Sequence, residues 1–259
     1  MNILRKGLLI ITVWVLGVSV GHAQYNYFAR SGTIEFDKKV NMYAKLKARV
    51  EPGNVYMIRD YEYYRKTEPQ FVVTKGTLSF NGKQSVYRGA GPEGVLSRVV
   101  GREPWALTEN TVFTDFESGD VMAVKKVFEE ELVVRDRQQD ILWKFTNEVR
   151  DIAGYECRRA NGLVADSIYV VAFYSVDIVP NGGPESFSGL PGMILGVALP
   201  HEHVTWFATK VELGERSVKA PQPPKGLSEM DRDGLEAYLR ENLSNWGDLG
   251  SEAIEAFSL

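Results

Sequence analysis

At 259 residues the chain is long enough for one large domain or two small ones. Thirty Lys and Arg against 34 Asp and Glu give a net charge of −4, which excludes the basic footprint that nucleic-acid binding needs. A single cysteine excludes an internal disulfide, so stability rests on the core that 44% hydrophobic residues are enough to build.

The N-terminus reads as a signal peptide over residues 1–23. Arg5 and Lys6 form the positive region, Gly7 to Val20 the apolar stretch, and Gly21-His22-Ala23 the small-residue site, with cleavage expected after Ala23. The apolar run is short for a membrane span, and no Cys follows it as a lipid-anchored protein would require. Export to the periplasm or medium follows, with no transmembrane segment after cleavage. Removing Arg5 and Lys6 from the 30 cations leaves 28 against 34 acids, a balance of −6.

Short β-branched and aromatic segments with period-two alternation follow, separated by turn chemistry. Ser31 to Phe36 opens a first strand predicted to run on through residue 50. After the Glu51-Pro52-Gly53-Asn54 turn, residues 55–66 suit a strand by their tyrosines and a short helix by their charges. Residues 71–89 read as a hairpin turning at Asn81-Gly82-Lys83, and the Gly- and Pro-rich stretch 89–110 as a long loop. Further strands follow at spacings too short for crossover helices, which predicts antiparallel meanders. The charge runs at residues 128–132 and 135–140 read as solvated hairpin ends.

Residues 169–174 and 192–199 are apolar on both faces, as in central strands covered from both sides or strands lining an apolar cavity. In residues 204–213 the alternation assigns Thr205, Phe207, Thr209, Val211 and Leu213 to the core face. A Pro-rich linker then leads into a C-terminal helical segment, with Ser228 and Asp231 as a capping-box analogue. The expected division is a signal peptide at 1–23, a β-rich domain at 24–215, and a linker with helices at 216–259.

Trp143-Lys144, Gly154-Tyr155-Glu156-Cys157, and an aromatic strand leading through Ile178 and Pro184 precede Gly189-Leu190-Pro191-Gly192-Met193-Ile194. This series resembles the GLPGLI family, with Met193 in place of the motif's second Leu and Val179-Pro180 where an Ile-Pro element is usual. The resemblance covers residues 30–215 and is strongest over the last third. It implies an exported protein of Gram-negative bacteria, of a family without an established activity. Its strand pattern is similar to that of periplasmic lipoprotein carriers: a curved antiparallel half-barrel closed by one or two C-terminal helices. That second step is fold analogy, which does not fix function.

Candidate sites are few. Gly189 and Gly192 can take positive φ, while Pro191 fixes its own φ and holds Leu190 extended, so the motif reads as a structural corner driving Leu190 into the core. No Lys-Ser/Thr and helix follow it, as a phosphate loop requires. Ser186 and Ser188 lack the nucleophile elbow. His201 and His203, which would point the same way at i and i+2 if the backbone is extended but fall where residues 192–199 must turn into 204–213, are the candidate Zn or Cu ligands. Cys157 reads as a small buried hydrophobe, and the acids Asp115, Glu117 and Glu129 to Glu131 show no partner set for catalysis. The function expected is therefore that of a non-enzymatic envelope protein binding an apolar small molecule or a protein partner. The alternative is metal binding through the His-x-His hairpin.

Overall fold

The computed structural model describes residues 28–165 and 167–259; the expected signal peptide at 1–23 lies outside them. One open, curved sheet of twelve strands dominates. Its strands are β1 (Gly32–Asn41), β2 (Phe71–Phe80), β3 (Gln84–Gly89), β4 (Glu109–Asp115), β5 (Asp120–Val127), β6 (Glu130–Arg137), β7 (Lys144–Ile152), β8 (Tyr155–Val164), β9 (Ile168–Ser175), β10 (Met193–Leu199), β11 (Val204–Leu213) and β12 (Ser228–Met230). The helices are α1 (Met42–Ala48), α2 (Val55–Thr67), α3 (Pro104–Leu107), α4 (Arg232–Leu243) and α5 (Asp248–Ser258). The order β12-β6-β5-β4-β3-β2-β1-β11-β10-β9-β8-β7 is two meanders, joined where β11 returns to pair with β1 from Gly32↔Leu213 to Val40↔Val204. No helix among the described residues is long and apolar enough to cross a membrane.

The hairpin at 71–89 and the antiparallel meanders stand as expected. One pair departs: the three-residue β12 runs parallel to β6 and covers that edge. Ser228 therefore lies in a strand, and the cap of α4 is Asp231, whose carboxylate accepts from the Gly234 amide at 2.8 Å. The first strand also ends early. Asn41 accepts from the Ala44 amide and starts α1, so residues 42–48 are helical and not extended. The 55–66 segment resolves as helix α2, capped in the same way by Asn54. The stretch 89–110 is only partly loop: it holds a 3-10 turn at Val100–Arg102, α3, and the start of β4.

The core face of β11 is the reverse of the one expected. Val204, Trp206 and Ala208 are buried, whereas Thr205 and Phe207 are half-buried and Thr209 is exposed. Alternation fixes the two sets but not which one faces in. Here the neighbouring β1 decides, because its Val40 and Lys38 pair with Val204 and Trp206 on the inner face. β9 and β10 are buried on both faces, as expected of covered central strands. Arg150 and Ile152 of β7 provide outer cover. A Cβ on Gly196 of β10 would come within 3.1 Å of Ile152 Cδ1, and Arg150 stacks 5.1 Å from the Phe173 ring and 5.7 Å from that of Phe207. α4 packs on β6 and on α5, and the two helices bury Leu235, Leu239, Leu243, Ala253, Ala256 and Phe257 in the same core. At about 1.5–3 kcal/mol for each large apolar side chain, this packing ties the 216–259 segment firmly to the sheet.

Candidate functional site

The inward face of the sheet carries charges where alternation calls for apolar side chains. On β1 the inner positions are Ile34, Phe36, Lys38 and Val40; on β5 they include Ala123, Lys125 and Val127; on β4, Asn110, Val112 and Thr114. Asn110 stands directly across from Lys125. Lys38 donates to Thr108 Oγ1, and its ammonium lies 5.2 Å from the Trp206 ring. The counter-charge comes from the Gly/Pro loop. Glu185 is buried with φ +51 and accepts from Asn110 Nδ2 at 2.9 Å.

Burial pushes the ammonium groups of both Lys38 and Lys125 down to about 8, against the raising field of Glu185. Burial likewise holds the Tyr87 phenol well above its ordinary value, with Glu185 adding to it. Among the described residues Lys125 Nζ has no hydrogen-bond partner, and the Trp206 indole N–H has the Tyr87 hydroxyl near it. Buried polar atoms are normally paired; several neutral donors, Trp105 Nε1 and the Tyr64 hydroxyl among them, are also left alone, but Lys125 is the cation of that set.

A second network lies beside α1. Glu103, fully buried ahead of α3, contacts Lys45 at 3.1 Å and Arg49 at 2.8 Å, and Glu252 of α5 pairs with the same two cations. Burial raises the Glu103 carboxyl despite Lys45 and Arg49. Burial acts the same way on Glu252, but its ion pairs outweigh it and hold that carboxyl low. This network borders a cleft of about 300 Å³ between α1, α5 and the β10–β11 turn.

His201 and His203 line that cleft. The turn between them is not extended: His203 has φ +57, its carbonyl accepts from the Asn41 amide, and the His201 ring lies against Tyr169. The i, i+2 geometry that would aim both imidazoles one way is therefore lost. Among the described residues no group of three or more His, Cys, Asp or Glu side chains is placed to hold a metal ion.

The Gly/Pro motif forms a corner between β9 and β10. Leu190 is buried, and the amides of Phe187, Gly189, Gly192, Met193 and Ile194 all donate to carbonyls of the chain itself. At Gly192 a Cβ would lie 2.1 Å from the Ser175 carbonyl oxygen, so only glycine fits, and Gly189 takes φ +87. Trp143 Nε1 donates to the Ser188 carbonyl at 3.0 Å, and Ser186 Oγ to the Leu259 carbonyl at 3.0 Å. Asp115 caps its own turn through the Glu117 and Ser118 amides, while Glu130 bonds Tyr238, so the acids noted in the sequence do not converge. Cys157 is buried, and burial pushes its thiol up to about 12.

A family model described as a protein of unknown function, Porph_ging, matches residues 161–196, from β8 through the Gly/Pro loop into β10. No curated protein matches the chain. Two solved structures of PNGF-II, in different space groups, are similar at 13% identity, with TM-scores of 0.48 and 0.45. The alignments cover 78% and 87% of this chain but 32% and 33% of those chains, so the chain spans about a third of the length of PNGF-II.

The residues missed by sequence reasoning are Lys38, Asn110, Lys125 and Glu185. The first three had a signal, since each shares parity with core residues on its strand. Glu185 had none beyond its place in the loop.

Proposed function

We propose that the protein is exported to the cell envelope and acts there as a non-enzymatic binding protein for a protein partner. The observation that carries this reading is helix α2. Val55, Tyr56 and Tyr63 are 72, 72 and 69% exposed, Met57 and Ile58 lie open beside them, and Tyr64 is its buried side chain. Phe71 and Val73 of β2 are also exposed. A helix gains most of its stability in a protein by burying an apolar face, and contiguous open apolar surface marks interaction sites. An apolar small molecule is the weaker occupant. The strands that would line its cavity have outer side chains under Arg150 and Ile152 of β7, and their other side chains belong to the filled core cluster.

Two measurements test the reading. A photo-crosslinking residue at position 56 or 63 should trap one discrete protein in intact cells, and the same residue at the exposed Lys210 should not. Equal labelling at all three positions, or none, removes the partner. For export, the mature protein should begin at Gln24 and fractionate with the envelope; an intact N-terminus in the cytoplasm removes that half.

A further inference from the structure

We propose that the interior cluster of Lys38, Lys125 and Glu185 is a binding site for one small monoanion, a carboxylate or a halide, held against the Lys125 ammonium. This proposal is independent of the partner surface on α2. It starts from a charge count. The neighbouring network balances Lys45 and Arg49 against Glu103 and Glu252. The cluster on β1, β5 and the Gly/Pro loop sets two buried ammonium groups against the carboxylate of Glu185; Glu103, whose field reaches Lys38, is already paired with Lys45 and Arg49, and Arg232 adds positive charge near Lys125, so the balance beside Lys125 stays positive.

Hydrogen bonding shows the same imbalance. Glu185 commits an oxygen to Asn110, and Lys38 is taken by Thr108. Among the described residues Lys125 Nζ is left with no acceptor although the residue is only 4% exposed. The orphan is a donor. A bound anion supplies both missing quantities, one negative charge and acceptor lone pairs, which water supplies only in part. An extra cation would worsen both. Lys38, Lys125 and Glu185 are all buried, so the occupant must be small and enter by local opening, which fits a halide or a short carboxylate and excludes a bulky sulfonate.

The test is thermal unfolding of the full mature chain at fixed pH 7 and fixed ionic strength, with a bulky sulfonate salt replaced stepwise by chloride or by acetate. The expected result is a saturable rise in Tm for the wild type and none for Lys125→Met, since a ligand that binds only the folded state stabilises it by mass action. A greater effect of acetate than of chloride identifies a carboxylate as the occupant, and the reverse a halide. No rise in the wild type, or an equal rise in both proteins, overturns the site. Should Lys125→Met fail to fold, crystals of the wild type grown in bromide and in acetate decide the matter. An anomalous peak or a bound acetate beside Lys125 Nζ upholds the site, and the absence of both overturns it.

Discussion

Replacing Lys125 with Met should stabilise the protein at neutral pH in buffer poor in small anions. Burial holds the folded ammonium at about 8 against an ordinary 10.5. At pH 7 the group is thus charged in both states and disfavoured in the folded one. A displacement of about 2.5 pH units at about 1.4 kcal/mol each gives about 3 kcal/mol, an upper value because the surroundings relax around a buried charge. Met fills nearly the same volume, so the cavity cost is small. For a chain of this size the gain corresponds to a Tm rise of about 6–10 °C. The pH dependence has a definite sign. Between about 8 and 10.5 the unfolded chain holds more protons than the folded one at this site, so wild-type stability gains from Lys125 as pH rises through that window. The variant lacks that gain. Its advantage over wild type should therefore be full below pH 8 and shrink towards pH 10. Urea unfolding of both proteins from pH 7 to 10, read as the difference between them, cancels the other titrating groups. A variant less stable than wild type by more than about 1 kcal/mol at pH 7, or a difference that does not change with pH, would show that the ammonium is satisfied where it lies.

Four further outcomes are expected. Glu185→Gln should destabilise by about 3 kcal/mol at pH 7, because it leaves buried Lys125 without a counter-charge and Lys38 with the field of Glu103 alone, and by much less at pH 10; equal costs at both pH values would refute the pairing. Glu103→Gln should cost about 3 kcal/mol in a urea melt, since Lys45 and Arg49 would keep only the more exposed Glu252; a neutral result would mean that water replaces the carboxylate. Gly192→Ala should cost more than about 3 kcal/mol by the clash with the Ser175 carbonyl. Gly53→Ala, with φ +86 and open space around it, should cost only about 1 kcal/mol; similar losses at the two sites would defeat that reading. Cys157 should resist iodoacetamide in the native protein at pH 8 and react fully in urea, read by intact mass; stoichiometric native labelling would contradict its burial.

The architecture was legible because period-two alternation and turn residues are local signals. Asn81-Gly82-Lys83, the spacing of the later strands and the doubly apolar β9 and β10 each state their structure within a few residues. What failed depended on neighbours distant in sequence. Alternation in β11 separated Trp206 from Phe207 but could not say which faced in, because β1 across the ladder decides that. The end of β1 was missed at Asn41, whose side chain competes with the strand by capping α1. The turn at the histidines was itself legible from Pro200 and the strands on either side, and the backbone at His203 is left-handed there.

The charged interior was half legible, and the half that was hidden accounts for the Gly/Pro loop. A lysine at core parity in β1, between Phe36 and Val40, already states that something must compensate it, and Lys125 in β5 repeats the statement. The compensating group sits about 150 residues after Lys38, on a segment whose spacing carries no hint of charge pairing. A left-handed backbone at a non-glycine residue costs about 1–2 kcal/mol and persists only where surrounding structure holds it. Glu185 has that backbone. The surrounding hydrogen bonds, from Phe187 to Pro184, Gly189 to Asn181 and Ile194 to Gly182, are those of the corner itself. The glycines and prolines therefore do more than turn the chain from β9 to β10. They fix a strained carboxylate inside the sheet, where it faces two lysines that it cannot neutralise alone.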